Sequence, residues 1–190
     1  MSPLLILSLI FLLIAIGAHH YLKAFQSLLR WMVISAIAGL IAALSYYTAL
    51  QYFTWIANSL SRLLLPPHQG IGYFAFYVFT EFWADYLLAA AIGFICYLTI
   101  RRQATPERPF FYPEEPALCF IAILLVGHPL WILYGTLLLI ETLIGTLYAR
   151  FISKTNNRVS FRYLWLPTAG LILALSPILN KLPLIIYLHF

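Results

Sequence analysis

Lysine, arginine, aspartate and glutamate make up only 9% of this 190-residue chain, and nearly all of them sit in short gaps between long apolar runs. That placement constrains the fold more than any motif does. With 63% hydrophobic residues and a mean hydropathy of +0.92, the chain has more apolar surface than a water-soluble domain of this length can bury. A membrane-crossing helix needs about 20 apolar residues. The expectation is therefore an all-α, polytopic integral membrane helix bundle of about six transmembrane helices, with the lipid bilayer as its solvent. The net charge of +5 is spread over several gaps and forms no single basic face, so nucleic-acid binding is excluded.

The apolar runs give the spans. Span one covers about 3–18 and reads as a retained helix, because no basic stretch precedes it and no small-residue cleavage site follows it. A gap from His19 to Arg30 leads to span two, about Trp31–Trp55. The gap 57–70 contains Arg62, Pro66-Pro67 and a leucine cluster (Leu60, Leu63, Leu64, Leu65) that predicts a short interfacial helix. Span three covers about Ile71–Ile100. A proline-rich loop, 101–116, divides a single transmembrane domain into halves 1–100 and 117–190. Pro116 after Glu114-Glu115 is a helix-start signal. The acids Glu107, Glu114 and Glu115 are assigned to this solvated loop. The last span, 163–180, is expected to bend at Pro167 and Pro177, and the tail 181–190 to lie in the interface.

Residues 117–149 admit two readings. One continuous helix would be about 50 Å long, against a hydrocarbon core of about 30 Å. A turn at Gly127-His128-Pro129 would instead give a short fourth span and a fifth, 130–149. The cations decide between them, because Lys and Arg concentrate on the cytoplasmic side. With the turn, one side collects Lys23 and Arg30, Arg101, Arg102 and Arg108, and Arg150, Lys154, Arg158 and Arg162. That is nine of the 11 Lys and Arg, leaving Arg62 and Lys181. Without it the split is five against six. Six spans with both termini periplasmic, in a bacterial inner membrane, are the expectation.

Polar residues inside spans are costly and need a purpose. Glu81 and Asp85 share one face of span three at i and i+4. They serve either acid–base chemistry or proton relay, or anchor a neighbouring helix or subunit. Glu141 in span five reads as a helix–helix hydrogen-bond partner, with Thr142, Thr146, Gly135 and Gly145 nearby. His128 reads as a hairpin-capping residue. The histidines His19, His20, His68, His128 and His189 fall at loops or ends, which disfavours a haem pair. Cys96 and Cys119 lie in apolar runs without ligand spacing. Inert thiols or a disulfide account for them, and no metal or cofactor is expected. The aromatics from Tyr46 to Trp55 and from Tyr73 to Trp83 read as an interfacial belt.

The order of spans and loops resembles that of the type IV prepilin peptidases, six-span membrane aspartyl proteases. The gap Lys23 to Trp31 lies where that family has its first catalytic loop. Glu114-Glu115-Pro116-Ala117-Leu118 lies where it has the second. Arg158 to Leu175, with Leu166-Pro167-Thr168-Ala169-Gly170, looks like its basic loop and proline–glycine entry to the last span. No Asp occurs in the first gap, and Glu114-Glu115 replaces the Gly-Asp of the second. The resemblance thus implies a non-peptidase relative, and no catalytic residue is carried across.

Three functions follow as expectations. The first is a non-catalytic structural or assembly subunit of a larger membrane complex, such as a secretion or pilus-type machine, with membrane-protein partners. The second is a small intramembrane enzyme acting on lipid or peptide, using Glu81 and Asp85 or Glu114 and Glu115. The third, a transporter or channel component, lacks the internal repeat and polar lining such proteins use.

Overall fold

The computed structural model describes residues 3–21, 25–103, 111–151 and 161–181. Among them the chain is all-α. It forms six helices: α1 (Pro3–Tyr21), α2 (Phe25–Ala57), α3 (Ile71–Gln103), α4 (Glu115–Val126), α5 (Leu130–Phe151) and α6 (Trp165–Leu179). Three of these, α2, α3 and α5, are long and apolar enough to cross a membrane, and α1, α4 and α6 contribute shorter apolar stretches.

α4 is the axis of the bundle. Leu118, Cys119 and every residue from Ile121 to Val126 are buried. A helix apolar on all sides must be covered on all sides. α3, α2, α6 and α5 pack around it, and α1 closes the bundle against α6. The main core joins Leu12 and Ala15 of α1, Ala89 and Ile100 of α3, Tyr134 and Leu138 of α5, and Trp165 and Ala169 of α6 to this axis. Helices from both halves of the sequence thus share one core.

The expected break is where the charges put it. α4 ends at Val126, α5 starts at Leu130, and Gly127 adopts φ +75° and ψ 174°. That region is open essentially to glycine alone. The backbone also needs the room: a Cβ on Gly127 would meet the Tyr86 ring at 3.3 Å.

Several boundaries differ from the sequence expectation. α1 continues through His19 and His20, and α2 begins at Phe25, so most of the expected gap 19–30 is helical. The leucine cluster forms only a 3-10 turn, Ser61–Leu64, with Leu65 buried against Trp55, Phe74 and Val78. Pro167 falls in the first turn of α6, where its missing N–H is one of the donors no helix can satisfy. Pro177 lies in the last turn. The interfacial tail, Glu107, and the cations Lys23, Arg108, Lys154 and Arg158 lie outside the described residues.

The largest correction concerns Glu114 and Glu115, which were assigned to a solvated loop. They are 2% and 1% exposed. α4 starts at Glu115, so the two acids belong to its entry and follow it into the bundle. Phe111, just before them, packs its ring on Phe161 (centroids 5.8 Å apart), tying the entry of α4 to that of α6. The helix start, not the proline-rich loop before it, governs where the two side chains go.

Candidate functional site

Three polar groups interrupt the apolar bundle. The first surrounds a cavity of about 150 Å³ beside the α4–α5 turn. Asp85 and Tyr86 of α3, Ser8 of α1, His128 of the turn and Ser176 of α6 supply its polar wall. Each comes from a different element except the adjacent pair Asp85 and Tyr86. Ser8 and Ser176 are buried. His128 is oriented from behind: the Trp131 indole N–H donates to its Nδ1 at 3.2 Å. With Nδ1 accepting, the neutral ring carries its proton on Nε2. Trp131 is one helical turn beyond His128, so α5 itself fixes the imidazole. His128, expected as a hairpin-capping residue, thus has a place in the cavity wall.

α3 supplies two of the cavity's polar residues, Asp85 and Tyr86. Its turn Phe79–Trp83 is π-helical, inserting one extra residue just before Asp85. Glu81 sits in this turn and is exposed, whereas Asp85 is partly buried and lines the cavity. The i, i+4 spacing thus does not bring both carboxylates to one site. Sequence periodicity assumes an unbroken α-helix, and the π turn is not visible in it.

The second group crosses the middle of the bundle. The Thr168 hydroxyl of α6 donates to the Glu141 carboxylate of α5. The Tyr134 hydroxyl donates to the Trp165 carbonyl at 3.1 Å. Both bonds join α5 to α6, so Glu141 has the helix–helix role the sequence predicted. Thr142 instead returns its hydroxyl to the Leu138 carbonyl of its own helix (2.9 Å). Cys119 of α4 is buried in the main core, and Cys96 of α3 packs against that core. The third group is the buried pair Glu114 and Glu115 at the opposite end of α4 from the cavity.

The aromatics of α2 and α3 pack on one another. Trp55 packs on Phe74 and Tyr77 (centroids 5.3 and 5.0 Å), and Tyr47 stacks on Phe82 (6.2 Å). The Trp83 indole N–H donates to Thr48 Oγ1 at 3.1 Å. These contacts zip α2 to α3 beyond the main core, while Phe53 and Phe76 stay exposed. Among the described residues, no three or more His, Cys, Asp or Glu side chains gather as a metal site.

Ser8, Tyr86 and Ser176 were missed as site residues. The signal for them was depth. Ser8 and Ser176 are small polar residues near one end of their apolar runs, at the end where Gly127 turns. What fold and site define together is a class: an all-α helical bundle with membrane-length helices and a small polar cavity at one end. No family model, curated protein or solved structure matches the chain.

Proposed function

We propose that this chain is a six-span protein of the bacterial inner membrane, with both termini periplasmic, that serves as a non-catalytic subunit of a larger membrane complex such as a secretion or pilus-type machine. One observation carries the reading: α2 and α3 are each 33 residues long. At 1.5 Å per residue each is about 50 Å long, against a hydrocarbon core of about 30 Å. At the average tilt of about 20° each still spans about 47 Å along the membrane normal. Measured from Arg30 and Arg101 at that tilt, Phe53 and Phe76 stand about 32 and about 35 Å along the membrane normal, past a hydrocarbon core of about 30 Å. The two side chains, exposed at 65% and 68%, stand where lipid tails no longer cover them. Apolar side chains held outside both core and lipid mark a surface for another protein.

The test is purification of the full chain from its native membrane in a mild detergent. A stoichiometric membrane-protein partner is expected, and it should be lost from a Phe53→Ser, Phe76→Ser double variant that keeps its own yield. A lone chain of monomeric size at every detergent concentration would sink the proposal.

The burial of Glu114 and Glu115 favours a second reading, an intramembrane enzyme acting on lipid or peptide. It requires Glu115→Gln to abolish a cellular phenotype at unchanged protein level. Full complementation by both Glu114→Gln and Glu115→Gln removes it.

A further inference from the structure

The cavity beside the α4–α5 turn is rich in oxygen. Asp85 brings a carboxylate, Tyr86, Ser8 and Ser176 bring hydroxyls, and Asn180 at the end of α6 brings an amide. Ser8 and Ser176 are only 3% and 2% exposed, so two of these hydroxyls are built into the bundle. The Ser176 hydroxyl donates to the Leu173 carbonyl at 2.8 Å, which commits its proton and leaves its oxygen as an acceptor. Leu125 and Val126 line the cavity from the last turn of α4. The Gly127 N–H returns to the Ile123 carbonyl at 3.0 Å, so no N–H of α4 reaches the two carbonyls that follow Leu124. A carboxylate has about four lone-pair sites, so hydrogen bonds that Asp85 makes elsewhere leave it acceptor capacity here.

The donor set selects the ligand. The His128 Nδ1 accepts from Trp131, so its imidazole presents an N–H to the cavity rather than a lone pair. Neither cysteine is in the wall. A wall of oxygens without imidazole or thiolate ligands suits a hard ion, not zinc, copper or nickel. Asp85 is the single carboxylate among the lining residues, and no Lys or Arg is among them. Lys181, next to Asn180, is exposed and outside the wall. One carboxylate balances one positive charge, whereas a divalent ion would leave net charge inside an apolar bundle. At about 150 Å³ the cavity is also small beside the roughly 300–1,000 Å³ of sites for drug-sized molecules. We propose that it binds a monovalent alkali cation, with Asp85 as the charge partner and Ser8, Ser176 and the end carbonyls of α4 as neutral oxygen ligands. The ion joins α1, α3, α4 and α6, so its binding stabilises the fold by mass action. This site is independent of any role as a subunit.

The experiment uses the full chain in detergent and choline chloride. Sodium or potassium chloride then replaces the choline salt at constant ionic strength, and thermal unfolding is followed by circular dichroism. The expected result is a saturable rise in Tm with an alkali ion. Asp85→Asn should lose the rise while still unfolding cooperatively in choline, and Ser176→Ala should need more salt for half of it. Equal Tm in choline, sodium and potassium overturns the proposal. A rise with methylammonium alone does so too, as does a rise kept in full by Asp85→Asn. Radioactive sodium and rubidium binding to the unmodified chain depends on no variant folding. One ion per chain, displaced by the unlabelled ion and not by choline, is expected; no displaceable label of either kind overturns the site.

Discussion

The contact between Glu141 and Thr168 shows how one carboxylate is tolerated inside an apolar bundle. The hydroxyl of α6 is spent on it, and the bond ties α5 to α6. Hydrogen bonds between membrane helices contribute about 0.6 kcal/mol on average, up to about 1.7. Thr168→Val should therefore lower stability in detergent by an amount in that range, read by reversible denaturant unfolding. Glu141→Gln keeps an acceptor for Thr168 and should cost less. A larger loss for the glutamine variant would mean that the charge, not the hydrogen bond, holds the contact. Gly127 is a steeper case. Alanine there meets both a backbone region worth about 1–3 kcal/mol of strain and the Tyr86 ring. Gly127→Ala should destabilise the chain by at least the lower figure, and Tyr86→Ala should recover only the steric part. The glycine was legible in the sequence as a break. Its neighbour Tyr86 was not, since nothing in an apolar run says which side chain a turn on another helix will touch. That Cys96 and Cys119 share one core region was within reach of the sequence. Cys96 lies five residues before Arg101 and Cys119 four after Glu115, equal depths in an antiparallel pair.

At the scale of elements, helix length separates two kinds of structure. α4 has 12 residues, about 18 Å, and is covered on all sides by the other helices. α2 and α3 outreach it, and their far ends build a second small core of Trp55, Leu65, Phe74 and Val78. The aromatic stretches were legible, but their role was not: composition places tyrosine and tryptophan at an interface without telling a belt from a zipper. Which residues pair depends on the register of α2 against α3, and the π turn shifts it. The length argument makes a physical prediction. Nitroxide labels at Phe53→Cys and Phe76→Cys, in a chain lacking Cys96 and Cys119, should collide mainly with a water-soluble nickel chelate. Labels at Ile37→Cys and Ile95→Cys should collide mainly with oxygen, which concentrates among lipid tails. Oxygen-dominated collisions at all four sites would place the whole hairpin in the hydrocarbon, and the partner surface would go with it.

At the scale of the molecule, the proposed topology rests on the same turn that glycine permits. On the proposed six-span topology, with α4 and α5 as separate helices, the C-terminal ends of α3 and α5 would face one side, and nine of the 11 Lys and Arg would collect there. Positive charge in short loops holds a loop on the cytoplasmic side. Single cysteines at Thr105→Cys and Thr155→Cys, in the background lacking Cys96 and Cys119, should therefore resist a membrane-impermeant maleimide in intact cells. Ser59→Cys should react. The late cations Arg150, Lys154, Arg158 and Arg162 are four of the nine, so neutralising them leaves five on that side against two on the other. The first half keeps its own anchors in Arg30, Arg101 and Arg102, so Thr105→Cys should stay protected. The α5–α6 pair loses its nearest anchors, and labelling of Thr155→Cys should rise. Core packing opposes that flip, because Tyr134 and Glu141 of α5 hold α6 by hydrogen bonds inside the bundle. The rise should therefore be larger when Thr168→Val is added. If labelling at 155 ignores both changes, loop charge does not orient this half and the topology rests on packing alone.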